Sequence, residues 1–487
     1  MTEEKRTFRR ELGLSDSTFI VIGSMIGSGI FIVSSDMARN VGSPGILILT
    51  WLISGIITLI AALSYGELAA MMPKAGGQYV YLRESYNDLT GFLYGWTLFL
   101  VIQSGTIAAV AVAFAKYTGV IIPWFSEKNI LISSGFVKIS AAQILAIFSI
   151  LVLSFINLFG IKLGKFVQDI FTFTKTSALL LLLILGLILG AGSIAMVNNF
   201  SDFWSASMTK VSDGKIISIE SLTGFSLMVA VCIAMVGSLF SSDAWNNITF
   251  TAGEVKNPKR NIPLSLALGT GIVTLLYLGA NFSYIFVLPL KGTPEGITAA
   301  EKGIQFAVSD RVGTAAVSMF LGDSAAIVMA IFIMISTFGC NNGLILAGAR
   351  VVYAMAQDKL FFKRTGELNK FSVPGWALVV QALWSSLLCL SGTYSDLLDY
   401  VVFAVLIFYI LTIIGLFRLR KMRPEAERPY KAFGYPYLPA LYIIAASVIC
   451  LILLFYKPNY TWPGLLVVII GIPVYFIWKS IFKKIRK

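Results

Sequence analysis

The chain contains no histidine in 487 residues. That removes the commonest metal ligand and the usual general base near neutral pH. Neither an HExxH zinc motif nor a Walker A loop is present, which leaves the common hydrolytic and nucleotide-driven chemistries without their groups. No enzyme, metal site or cofactor is expected. Cysteine is scarce as well. Cys232, Cys340, Cys389 and Cys450 each lie inside an apolar run, with neither CxxC spacing nor a disulfide framework, and read as small core hydrophobes. Charged residues make up 13%, against about 25% in soluble domains. The basic start, with Lys5, Arg6, Arg9 and Arg10, runs into a segment too long for a signal-peptide h-region.

What fills the chain is apolar: 57% of residues are hydrophobic and the mean hydropathy is +0.82. Windows of about 20 apolar residues place about twelve spans, near 15–39, 45–71, 87–118, 140–160 and 166–190, then, after a polar external loop at 191–221, near 222–250, 262–289, 318–349, 374–392, 396–418, 437–456 and 463–482. The fold class is an all-α polytopic membrane protein. Its net charge of +13 does not point to nucleic acid, because the basic residues form short clusters between apolar runs. Most of them fall on one side if both termini, 1–14 and 483–487, are cytoplasmic, as the positive-inside rule requires. Lipid, in the cell membrane, is the expected surrounding.

Two spans are interrupted. The first contains Gly23-Ser24-Met25-Ile26-Gly27-Ser28-Gly29-Ile30-Phe31, a poor recipe for continuous helix, since each Gly costs about 1 kcal/mol against Ala. One reading is close helix packing by small residues. The other is a helix broken on purpose, whose free N–H groups suit a carboxylate and whose free carbonyls suit an ammonium. The sixth span carries Phe240-Ser241-Ser242-Asp243-Ala244-Trp245-Asn246-Asn247, polar residues that are costly in lipid unless they serve a cavity. The interruptions lie five spans apart, so two repeats of odd length, 15–190 and 222–418, would be inverted relative to each other. Paired interruptions in two halves are a pointer to a transport site. The last two spans, 437–482, stand outside the repeats.

The residues then become recognisable. Ile26-Gly27-Ser28-Gly29-Ile30-Phe31, Tyr65-Gly66-Glu67-Leu68 with Pro73-Lys74-Ala75-Gly76-Gly77, and Gly253-Glu254-Val255-Lys256-Asn257-Pro258 resemble, in order, motifs of the amino acid–polyamine–organocation superfamily. Ser336-Thr337-Phe338-Gly339 with Asn342-Gly343, and Arg428-Pro429-Tyr430, continue the resemblance. Within that superfamily the chain is most similar to the L-type amino acid transporter light chains. The resemblance implies a LeuT-type fold of 5+5 inverted repeats with discontinuous helices 1 and 6. It implies that amides around Gly27, Ser28 and Gly29, flanked by Ile26 and Ile30, hold a substrate carboxylate. Carbonyls near Met25 and Phe240 would take its ammonium, and Phe240 would gate the site beside Ser241.

Three further expectations follow. Either Asp243 contacts a cationic substrate, or Ser241, Ser242 or Asp243 caps the second half of helix 6; the cap is preferred. Lys175 lies ten residues beyond Lys165, roughly 15 Å up a helix, deep in the bilayer. The resemblance makes it a coupling residue in the space that sodium occupies in related carriers, tying helix 1 to helix 8, whereas a purely structural contact is the plainer reading. The loop 119–139 lacks the cysteine by which eukaryotic light chains attach a glycoprotein, so no disulfide-linked heavy chain is expected. The function read from all this is sodium-independent exchange of neutral L-amino acids by alternating access. Cationic amino acid, polyamine or proton-coupled transport is the nearer alternative, and an amino acid sensor the more distant one.

Overall fold

The computed structural model describes residues 7–134, 137–212, 214–390 and 394–484. Lys5, Arg6 and the last residues of the 483–487 tail lie outside the described residues, as do 135 and 136 in the loop 119–139. Among the described residues, ten helices are long and apolar enough to cross a membrane, and two shorter apolar helices, Leu14–Met25 and Gly375–Leu388, bring the spans to twelve. In chain order they are α1 in two parts, Leu14–Met25 (α1a) and Ser34–Val41 (α1b), then α2 Pro44–Met71, α3 Asp88–Ile121, α4 Ala141–Leu158 and α5 Ile161–Gly190. The sixth is again split, Gly224–Ser241 (α6a) and Asn247–Phe250 (α6b). α7 Pro258–Val287, α8 Ala325–Gln357, α9 Gly375–Leu388, α10 Tyr394–Met422, α11 Tyr437–Tyr456 and α12 Pro458–Lys484 complete the set.

Local sequence explains the starts. Ser43 caps α2 ahead of Pro44, whose missing N–H costs nothing at a first helical position. Asn87 caps the start of α3, and Ser140 with Gln143 forms a reciprocal capping box on α4. The fold is all-α in its membrane-spanning part, and short strands lie outside it. Two antiparallel hairpins, β1 Ile130–Ser134 with β2 Val137–Ser140 and β3 Ser207–Ser212 with β4 Lys215–Ser221, fold outside the spans. Within the loop 191–221 a short helix, Ile194–Ser201, precedes β3 and β4. The loop's β-branched alternation, Lys215-Ile216-Ile217-Ser218-Ile219, is what a two-stranded ribbon needs.

Both ends of the described chain lie on one face. Leu12 forms a parallel bridge with Val255, with Glu11 and Leu12 N–H groups on the Glu254 carbonyl at 2.9 and 3.0 Å. At the other end the Trp478 indole donates to the Lys359 carbonyl. This terminal face is shut. Buried Arg350 of α8 grips Glu254 through two bonds of 2.9 and 3.0 Å, and Arg420 of α10 holds Glu67 of α2 at 2.6 Å. Lys165 pairs with Asp16 at 2.8 Å, and Arg83 pairs with Asp358. The opposite face is open, with a vestibule of about 720 Å³ descending between α1b, α3, α6a and α10.

Candidate functional site

The vestibule ends on Phe240, which lines its floor together with Val33, Val402 and Phe403. Behind Phe240 the chain is packed: two cavities of about 20 Å³ each flank Asp243, each large enough for about one water. The two broken helices meet here. α1a stops at Met25 because Ile26 is extended, and a single 3-10 turn, Gly29–Phe31, precedes α1b. α6a stops at Ser241, and Ala244 takes a left-handed backbone (φ 64°) before α6b. That conformation costs a non-glycine residue roughly 1 kcal/mol or more.

A helix ending inside apolar protein leaves carbonyls that need donors. The carbonyls of the α1 break find theirs on side chains of α5, α7 and α8. Lys175 of α5 donates to the Gly23 and Ile26 carbonyls at 2.5 and 2.6 Å and to the Ser336 carbonyl of α8 at 3.3 Å. Cys340 Sγ lies 3.1 Å from the Ser24 carbonyl. The Tyr277 hydroxyl of α7 reaches the Met25 carbonyl at 3.1 Å and the Ser241 carbonyl at 3.0 Å, bridging the two broken helices. Ser336 Oγ donates toward Ile26 and Gly27, at 3.2 and 2.9 Å, and the Tyr284 hydroxyl meets the Ile30 carbonyl at 3.3 Å. By contrast, the amides of Gly27 and Gly29 have no hydrogen-bond acceptor among the described residues. The arrangement thus offers free donors on one side of the break and multiply anchored carbonyls on the other.

The two glycines differ. A Cβ on Gly27 would touch nothing nearer than Cys340 Sγ at 3.5 Å, an ordinary contact, whereas one on Gly29 would lie 2.2 Å from Ser241 Oγ. Gly29 is therefore required by the packing of α1 on α6a as well as by any ligand. Ser241 itself bonds within its own helix, Oγ to the Gly237 carbonyl at 2.9 Å, and the Phe240 carbonyl accepts from the Asp243 amide at 3.1 Å.

The cap assigned to Asp243 is not what forms. The residue flanking α6b is Asn246, with no side-chain cap bond, and the Asp243 carboxylate accepts from the Tyr409 hydroxyl of α10 at 2.6 Å. The polar run before α6b turns too sharply, through Ala244, for Asp243 to reach the first amides of that helix. Sequence reasoning missed Tyr277, Tyr284 and Tyr409. Each is a hydroxyl on an otherwise apolar stretch, indistinguishable from core filler until its acceptor is known.

Twelve spans, two broken at mid-span around anchored carbonyls and free amides, open to one face and sealed at the other, define a secondary transporter of the LeuT-type architecture. The chain belongs to the amino acid permease family, whose sequence pattern matches residues 12–475. It is 27% identical to the b(0,+)-type amino acid transporter 1 of Mus musculus over 98% of this chain and 90% of that protein. It is 28% identical to the Homo sapiens protein of that name, over 98% and 89%. It is also 28% identical to the large neutral amino acids transporter small subunit 2 of Mus musculus, over 96% of this chain and 81% of the relative. The chain is an amino acid transporter, a multi-pass membrane protein and not an enzyme.

Proposed function

We propose that the chain exchanges neutral L-amino acids without sodium. The observation that carries this reading is the position of Lys175. Its ammonium sits on the Gly23, Ile26 and Ser336 carbonyls, the oxygens a sodium ion would need, and a fixed charge there replaces a mobile one. The substrate carboxylate docks on the amides of Gly27, Ser28 and Gly29, beside Ile26 and Ile30. Carbonyls at Met25 and Phe240 take its ammonium next to Ser241, and Phe240 closes over it from the vestibule. In the alternate state the terminal face opens and Lys175 loosens its hold on α1a. The repeats are 15–190 and 222–418. Matched lengths support them: α2 has 28 residues and α7 has 30, while α5 has 30 and α10 has 29.

The terminal face is cytoplasmic in this reading, as the clustering of basic residues supports. No disulfide-linked subunit attaches in this reading, because all four cysteines lie inside apolar spans. Purified protein in sodium-free liposomes, preloaded with unlabelled neutral amino acid, is expected to accumulate labelled amino acid by counterflow. Accumulation that requires sodium would overturn the coupling, and none under any cation gradient would overturn transport by this chain alone.

One observation favours a second substrate class. Asp243 has Tyr409 as its hydrogen-bonding partner and no cationic side chain paired with it among the described residues, so a cationic substrate would supply the missing charge. Asp243→Asn then removes uptake of cationic amino acids selectively and spares neutral ones. Equal loss of both would leave Asp243 a structural ligand of Tyr409.

A further inference from the structure

We propose that the vestibule contains an outer station for the substrate, where Arg311 and Lys116 take the amino acid carboxylate before it passes Phe240. The proposal rests on the amino acid transport reading. Both residues line the 720 Å³ cavity. Arg311 stands at the turn before the helix Val312–Leu321, with its guanidinium 4.9 Å from the centre of the Tyr117 ring of α3. Its Nε is buried and finds no acceptor, and neither Arg311 nor Lys116 has an acidic partner among the described residues.

Arg39 shows how this cavity treats a cation that serves structure. It lines the same wall, yet it is satisfied by Asp310 at 2.7 Å, by the Gln305 carbonyl at 2.7 Å and by Ser35. A buried guanidinium N–H without an acceptor is costly, and Arg311 carries that cost where a solute must pass. The acceptor that fits is a carboxylate, which matches the guanidinium fork, with the Tyr117 face holding the fork in plane. Glu127 lines the same cavity and has no ion-pair partner among the described residues, so it serves the other end of a zwitterion. The geometry assigns this station to capture from the vestibule face only, because the terminal face is sealed by a separate set of ion pairs.

The test measures sided kinetics in liposomes of uniform orientation, after counterflow by the wild type has been established. Without wild-type counterflow the transport reading itself fails, independently of this one. Arg311→Gln, Lys116→Gln and the double variant are expected to raise KM from the vestibule face by roughly tenfold, the worth of one charge-assisted contact. KM from the terminal face should stay at its wild-type value. Wild-type KM at the vestibule face should also rise with ionic strength, and that dependence should flatten in the double variant. Equal KM changes at both faces, or none, would overturn the station and leave Arg311 as a tether of its loop to α3. Should Arg311→Gln fail to fold, Lys116→Gln and Arg311→Lys decide: a raised vestibule-face KM in Lys116→Gln with partial recovery in Arg311→Lys supports the station. Wild-type KM in Lys116→Gln overturns it.

Discussion

At the scale of single residues, the two glycines of the α1 break make opposite test sites. Gly29→Val collides with Ser241, so a loss of transport there would report packing. Gly27→Ala has room for its methyl group and intrudes only on the approach to the free amides. It is expected to fold with an unchanged melting temperature and to lose affinity by about tenfold or more, consistent with roughly 1.5–3 kcal/mol for one hydrogen bond to a charged group. Isothermal titration with the transported amino acid checks this, and wild-type affinity would remove Gly27 from the carboxylate site. Lys175→Ala acts differently. An intramembrane lysine costs about 2.5–3.5 kcal/mol to place, and here that is offset by three carbonyl contacts. Removing it leaves the Gly23 and Ile26 carbonyls without that donor, so substrate should still bind while counterflow slows markedly. Normal turnover in Lys175→Ala would make the lysine a structural contact and nothing more.

At the scale of elements, α1a and α6a are joined at their broken ends by one hydroxyl. Tyr277 reaches Met25 and Ser241 at once, so the two breaks are expected to move together. Tyr277→Phe removes about 1 kcal/mol of net hydrogen bonding and keeps the ring against Trp51, whose centre is 5.4 Å away. Folding and binding should survive, with a slower exchange rate measured by stopped-flow efflux; an unchanged rate would show that the breaks move independently. On the terminal face the decisive element contact is Arg350 of α8 with Glu254, both 1% exposed. Glu254→Gln leaves the guanidinium buried without its counter-charge, a cost of about 3–5 kcal/mol to the shut state. The variant should expose a cysteine placed below Phe240 to a thiol reagent from the terminal face. Protection equal to wild type would show that this pair does not hold the gate.

At the scale of the whole molecule, the structure is asymmetric in a way that transport uses. A wide vestibule opens on one face, while the other is locked by ion pairs and by the bridge of Leu12 to Val255. The chain should exchange amino acids as a purified single component. A requirement for an added membrane protein, tested by co-reconstitution, would count against that. One relative is named a small subunit, which makes this experiment the informative one for assembly.

How much was legible in the sequence divides along physical lines. Twelve spans, their approximate ends and the two interruptions follow from composition and local propensity alone, because lipid forces every backbone group to be satisfied within its own segment. The depth of Lys175 follows from helical rise. Which partners satisfy the broken ends was decided only by tertiary structure. Tyr277 of α7 and Ser336 and Cys340 of α8 come from spans far from α1 in sequence, and nothing local distinguishes a tyrosine that bridges two carbonyls from one that fills space. Asp243 shows the same limit from the other side. Its position ahead of α6b suits a cap by sequence, yet the left-handed turn at Ala244 carries it to Tyr409 of α10, a contact 166 residues away that no window of neighbours contains.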